Sequence, residues 1–335
     1  MKRGFDTKKY LKAQKKDILK RLKKFERLYL EVGGHLSYDG HASRVLPGYL
    51  PNTKLKLLKT LGKLEIIYCV SAKDLDSRKR LGDFNLTYKK QTLKDIRDFK
   101  KAGLKIDYVV ITLFKGEKSA LKFKRILEKK VRKVYFHKKT KNYFNPKKAI
   151  LGYEKNPAIP TTTKLIIITG AAGNSGKMSV AMSQIYLDRK RKIKAGFAKL
   201  ETFPIYNLSI NHPLNIAYEA ATADIKDTNK IDPYYLKKNK KRVVNYNRDI
   251  NNFKILKALS RLFTKNKTAF GYSSPTEMGV SNTKAGIINK EICEKAAIKE
   301  IYRRQKIYSK EFKKGRESKQ TLERMKEIIK KIEKK

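Results

Sequence analysis

Residues 165–186 read LIIITGAAGNSGKMSVAMSQIY, and this stretch decides the fold. Leu165–Thr169 is aliphatic or β-branched throughout, the mark of a strand buried on both faces, as in a parallel sheet covered by helices. A glycine-rich turn follows, and behind it Met178, Met182 and Ile185 recur at helical spacing. Strand, glycine turn, helix is the setting that a phosphate-binding loop requires. Glycines let the chain curl so that successive N–H groups face an anion, the helix N-terminus adds partial positive charge, and a lysine reaches the outer phosphates. Gly173, Asn174, Ser175, Gly176, Lys177 and Ser179 are therefore the candidate cofactor-binding residues.

The motif is a degenerate P-loop. In G-x-x-x-x-G-K-[ST], counted back from Gly176-Lys177, the first glycine falls on Ala171 and the magnesium-holding hydroxyl falls on Met178. Ser179 comes one residue late, about 100° further round the helix. An anion cradle is expected, and conventional ATP hydrolysis with a loop-held magnesium is not. A turn whose glycines serve only close packing stands as the plain alternative.

Outward from this unit the alternation repeats. Strands are predicted at Leu28–Val32, Leu64–Val70, Asp107–Thr112, Arg132–Phe136 and Ala195–Leu200, with helices between them. Asp6 or Thr7 caps a first helix carrying Leu11, Ile18, Leu22 and Phe25 on one stripe, and Asn52 caps another. The polar segment 35–52 reads as a long loop. Beyond Pro204 the pattern loosens, with helices predicted at Asn211–Ala223, Arg248–Phe263, Lys290–Tyr308 and Ser318–Lys334. The expected architecture is α/β: a mainly parallel sheet flanked by helices, Rossmann-like and three-layered, with additional C-terminal helices. Residues 1–289 form the α/β domain, with a division into two lobes near 152–163 left open, and 290–335 form a helical C-terminal segment. Those last helices read as a docked hairpin or an oligomer contact rather than part of a site.

Lys and Arg number 82 against 31 Asp and Glu in 335 residues, a formal charge of +51. Lysines are spread through every segment, without the arginine forks of base readers or the interleaved aromatics of single-strand platforms. A solvated surface with weak, salt-sensitive, non-specific nucleic-acid association follows. Cys69 and Cys293 are the only cysteines, so a disulfide scaffold and a zinc cluster are excluded, and both read as packing residues. No run of about 18 apolar residues occurs, and the N-terminus leads into a charged helix; no membrane partner and a cytoplasmic location are expected.

Strand ends in a parallel sheet face the ligand crevice, which draws attention to Glu31, Gly33, Gly34, His35, Asp39, His41 and Arg44 after the first strand. His41 and Arg44 are candidate acid-base or orienting groups, though a polar loop can also use such residues to hold its own shape. Glu201, directly after a strand, is the third catalytic candidate. Asp224, Asp227 and Asp232 read as partners for local lysines or as helix caps, and Asp249 as the cap of the helix behind it. No metal site is expected, because His35 and His41 lie on an irregular segment with no third ligand.

With these segments assembled, the chain resembles the domain of unknown function 1846 family, also called uncharacterised protein family 0371. The resemblance rests on GFDTKKYLKAQ, YLEVGGHLSYDGHASRVLPGY (Tyr29–Tyr49), GDFNLTY (Gly82–Tyr88), GAAGNSGKMSVAMSQIY, KLETFPIYNLSINHPLNIAYEAATADIKDTNKIDPY, VNYNRDI and SPTEMGV (Ser274–Val280), spread over roughly residues 1–310. It implies an α/β protein with additional helical and smaller α+β parts, and self-association as a homo-oligomer. Family members close their glycine turn with an Ala-Pro-Gly-Pro-Gly-Ser-Gly-Lys form. The present turn departs from it ahead of Lys177, so a binding role carries over to Lys177 more directly than to Gly173 or Gly176. Members also continue with a further C-terminal section absent here, so the chain is either a shortened variant or a fragment.

The expectation for function is a nucleotide, with Mg²⁺, or another phosphorylated small molecule held at the turn around Lys177. Any reaction would be phosphoryl transfer or phosphometabolite turnover. The alternatives are a basic nucleic-acid-associated protein and a structural or assembly protein with a vestigial site.

Overall fold

Leu165–Gly170 is buried along its whole length and lies at the middle of the sheet. The computed structural model describes residues 3–81, 83–138, 142–264 and 268–333. The chain begins α1 (Thr7–Leu22), β1 (Arg27–Val32), α2 (Gly40–Val45), α3 (Thr53–Lys59), β2 (Leu64–Ser71), α4 (Tyr88–Lys101) and β3 (Tyr108–Phe114). It continues α5 (Lys118–Glu128), β4 (Lys133–Lys138), α6 (Pro146–Glu154), β5 (Leu165–Gly170), α7 (Lys177–Lys190) and β6 (Ala195–Leu200). After these come α8 (Pro213–Ala221), β7 (Asn229–Ile231), α9 (Pro233–Asn239), β8 (Val244–Tyr246) and α10 (Asn247–Thr264). The described chain ends with α11 (Pro275–Met278), β9 (Gly279–Val280), α12 (Lys290–Lys313) and α13 (Lys319–Glu333).

The main sheet runs β4-β3-β2-β5-β1-β6-β9, with every neighbouring pair parallel. Ile167 pairs with Leu30 on one side and Ile66 on the other, so the isoleucines of β5 meet aliphatic neighbours both across the sheet and in the helices above and below it. Each such side chain contributes roughly 1.5–3 kcal/mol on burial. That is why the continuous apolar run occupies the centre. From β2 the chain leaves for β3 toward one edge, and from β5 it leaves for β6 toward the other. Adjacent strands whose connections diverge open a crevice outside their carboxyl ends.

The predicted strands agree with the observed ones to within two residues, and Asp6 caps α1 by accepting from the N–H groups of Lys8 and Lys9. Three readings need correction. The segment 35–52 is not all loop: Asp39 accepts from Ala42 N–H and starts α2. Asp249 is not a cap, because α10 begins at Asn247 and Asp249 turns inward from its first turn. The C-terminal helices do dock, sharing an apolar cluster with Phe5, Tyr10, Leu214 and Ala217, but α12 also forms a wall of the cavity described below. Helix α6, opened by Asn145 and Pro146, and the antiparallel β7–β8 pair were not anticipated. Lys334, the predicted end of the last helix, lies outside the described residues. Among the described residues, no helix is long and apolar enough to cross a membrane.

Candidate functional site

A cavity of about 590 Å³ opens at the carboxyl ends of the sheet. Its floor comes from residues at or just beyond the ends of β1, β3, β4, β5 and β6: Glu31, Thr112, His137, the turn 172–176 and Lys199. Arg248 and Asp249 of α10 line one side, and Arg304, Ile307 and Tyr308 of α12 another.

The glycine turn is shaped by its neighbours. Ala171 N–H donates to Cys69 O at 3.2 Å, ending the sheet ladder. The chain then bends over β2 until Thr112 Oγ1 donates to Ser175 O at 2.8 Å. Gly176 sits at φ 81°, and a Cβ there would meet Thr112 at 2.9 Å, so both conformation and space require glycine. On the other flank Arg248 Nη1 donates to Asn174 Oδ1 at 2.8 Å while its Nη2 donates to Asp227 at 2.6 Å. Held at both flanks, the turn leaves the N–H groups of Gly173, Asn174, Gly176 and Lys177 without a hydrogen bond to any described residue. Unpaired amides at a helix N-terminus attract negative charge.

Lys177 is 8 % exposed, and its Nζ donates to Ala172 O at 3.1 Å. Burial lowers its pKa, with Glu31 working the other way. Glu31 is 7 % exposed and its carboxylate hydrogen-bonds to no described residue; burial raises its pKa against the opposing charges of Lys199 and Lys177. These two groups are buried, opposite in sign and incompletely paired. Lys199 is their contrast. It reaches Asp249 at 2.6 Å, Glu201 at 2.9 Å and the Tyr246 hydroxyl, and Tyr246 in turn donates to Glu201 at 3.1 Å. Burial alone would lower the Lys199 pKa, but Asp249 and Glu201 hold it well above the usual lysine value.

His41 and Arg44 converge on Glu300 of α12, His41 Nδ1 at 3.4 Å and Arg44 Nε at 2.7 Å, and Arg304 joins them at 3.0 Å. Burial would raise the Glu300 pKa, but His41 and the arginines hold it well below the usual glutamate range. Among the described residues His41 Nε2 is buried without a partner, and His41 lines the cavity, whereas Arg44 faces Glu300 and Asp83 and is not among the lining residues. Gly173, Asn174, Ser175, Gly176, Lys177, Ser179, His41 and Glu201 thus share one cavity, and Arg44 ties α2 to α12 behind it. Lys199, Arg248 and His137 belong to the same cavity and were not selected from the sequence as site residues; Glu31, noted there at the end of the first strand but not named as a catalytic candidate, joins them. Lys199 offered a signal, as the lone charge in the strand AGFAKL. Met178 occupies the position of the magnesium-binding hydroxyl, and among the described residues no cluster of three or more His, Cys, Asp or Glu is placed to hold a metal.

The family model for the domain of unknown function DUF1846, N-terminal, matches residues 3–333. A UPF0371 protein of Clostridium tetani is 45 % identical over 333 residues, covering 98 % of this chain and 66 % of the relative. One from Clostridioides difficile is 43 % identical over 336 residues, covering 99 % and 67 %. One from Clostridium botulinum (strain Alaska E43) is 42 % identical over 337 residues with the same coverage, 99 % and 67 %. The chain spans about two thirds of the length of these relatives. By sequence along nearly its whole length, the chain belongs to the DUF1846 (UPF0371) family of uncharacterised proteins.

Proposed function

We propose that this protein binds a phosphorylated small molecule, a nucleotide or another phosphate ester, at the glycine turn. The observation that carries the reading is the set of N–H groups of Gly173, Asn174, Gly176 and Lys177 that bond to no described residue, in a turn that lines a cavity of ligand size at the crevice of a parallel sheet. Lys177 supplies the charge. An arriving phosphate replaces the Ala172 carbonyl as its partner and stabilises the charge that burial disfavours. If a reaction follows, Glu31 is the carboxylate placed to exchange a proton with the bound ligand, while His41 at the opposite wall presents a free Nε2. Glu201, engaged by Lys199 and Tyr246, positions these groups rather than reacting. A cytoplasmic setting, where phosphate esters abound, goes with this reading.

Calorimetric titration with inorganic phosphate, pyrophosphate and nucleoside triphosphates tests it. Lys177→Ala removes a charge-assisted hydrogen bond, about 2 kcal/mol, and should weaken binding roughly thirtyfold. Equal affinities for the two proteins, or no binding by the parent, would sink the proposal.

A further inference from the structure

One side chain near the outer flank of the glycine turn is buried with nothing to bond among the described residues. His137, near the end of β4, is 3 % exposed, lines the cavity, and neither of its ring nitrogens has a partner among them. The turn is near it: the chain has crossed β2 so that Ser175 O accepts from Thr112 of β3, and Thr112 and His137 each follow the register pair Ile111–Phe136, where a bulge interrupts the ladder. One strand spacing, about 4.8 Å, separates β3 from the strand that carries His137. Buried polar groups are normally satisfied, so two orphan nitrogens on a cavity wall point to a partner that arrives from outside the chain.

The chemistry of the orphans limits that partner. Burial pushes the His137 pKa down to about 4, with no compensating charge, so at neutral pH the ring is an uncharged imidazole offering one N–H and one lone pair. Leu113, Tyr143 and Leu256 complete this part of the lining with mainly apolar surface. Phosphate is drawn to Lys177, whereas this flank suits a neutral group that both donates and accepts hydrogen bonds.

We propose that the cavity wall at His137 is a recognition subsite for the uncharged organic part of a phosphate ester whose phosphate lies in the glycine turn. Sugar hydroxyls and the edge of a nucleobase share this chemistry. The subsite rests on the phosphate reading above, and the two fail separately in the following experiment. Inorganic phosphate is titrated into the full chain beside four nucleoside monophosphates, ribose 5-phosphate and glucose 6-phosphate. The same series is repeated with His137→Phe, which keeps a ring and removes both hydrogen bonds, and with His137→Asn, which retains a donor and an acceptor.

At least one ester is expected to bind about tenfold more tightly than inorganic phosphate, a difference of 1.4 kcal/mol. His137→Phe should erase that advantage while leaving the affinity for inorganic phosphate unchanged, and His137→Asn should recover part of it. Retained phosphate binding shows that the variants are folded. Which esters hold the advantage separates a nucleobase from a sugar. The subsite is overturned, with the cradle intact, if no ester exceeds phosphate or if His137→Phe leaves the esters unaffected. It is overturned equally if His137→Phe weakens phosphate and esters alike. Absence of any phosphate binding by the parent protein overturns the cradle and the subsite together.

Discussion

Lys177 and Lys199 line the same cavity, one just beyond β5 and the other near the end of β6, yet their surroundings are opposite. Lys199 has two carboxylates and a tyrosine hydroxyl within bonding distance, and its charge is held firmly in place. Lys177 has one backbone carbonyl, and burial works against its charge. A saturated buried lysine braces the elements it joins, here β6, β8 and α10. An unsaturated one, set beside amides that also lack partners, is poised for a ligand that the chain itself does not provide. The same contrast separates the histidines: His41 is tied to Glu300, while the ring of His137 is tied to none of the described residues.

This comparison is most exposed to Lys199→Met. Removing the brace leaves Asp249 and Glu201 facing each other without a cation, and breaking a buried pair from one side costs about 3–5 kcal/mol. Urea unfolding should show a lower midpoint; an unchanged midpoint would mean that the cluster is not structural.

The pH dependence of stability comes next in size. Burial pushes the His137 pKa down to about 4, from 6.5 for an exposed histidine. Between those values the unfolded chain binds a proton that the folded chain refuses, so this residue's contribution is present above pH 6.5 and is lost as pH falls toward 4. Across that interval the loss amounts to about 3 kcal/mol. His137→Phe should flatten stability against pH there. A parallel curve for the variant would contradict the burial described here.

Smaller again is Lys177→Met, for which the two lysines should part company. It should lose phosphate affinity by about 2 kcal/mol without losing stability, since it removes a charge that burial disfavours. A fall in stability comparable to that of Lys199→Met would erase the distinction. Least of all, Thr112→Val deletes the hydrogen bond to Ser175 O, worth about 1 kcal/mol. It should loosen the turn and weaken phosphate binding about fivefold, as read by titration.

The sheet was legible because its strands are apolar runs with local signals at their ends, and the glycine turn because all its parts lie within ten residues of Gly170. Helix α2 was missed because it is a single short turn of residues that also favour loops, opened by Asp39. Helix α6 did carry a signal, an asparagine cap with proline in its first turn. The rest of the site was not readable, because its partners are remote in sequence: Lys199 and Asp249 lie 50 positions apart, His41 and Glu300 259. No periodicity reports such a meeting. His137 had no sequence signal at all, since a histidine at a strand end looks the same whether or not its nitrogens are satisfied.

The central claim is that the amides ahead of Lys177 receive an anion. Selective ¹⁵N labelling of glycine allows it to be watched directly by amide NMR during a titration with inorganic phosphate. Gly173 and Gly176 should shift progressively and saturably, while Gly62 and Gly103, which lie ahead of β2 and β3 away from the cavity, stay still. Shifts confined to other glycines, or none at all at saturating phosphate, would contradict the account.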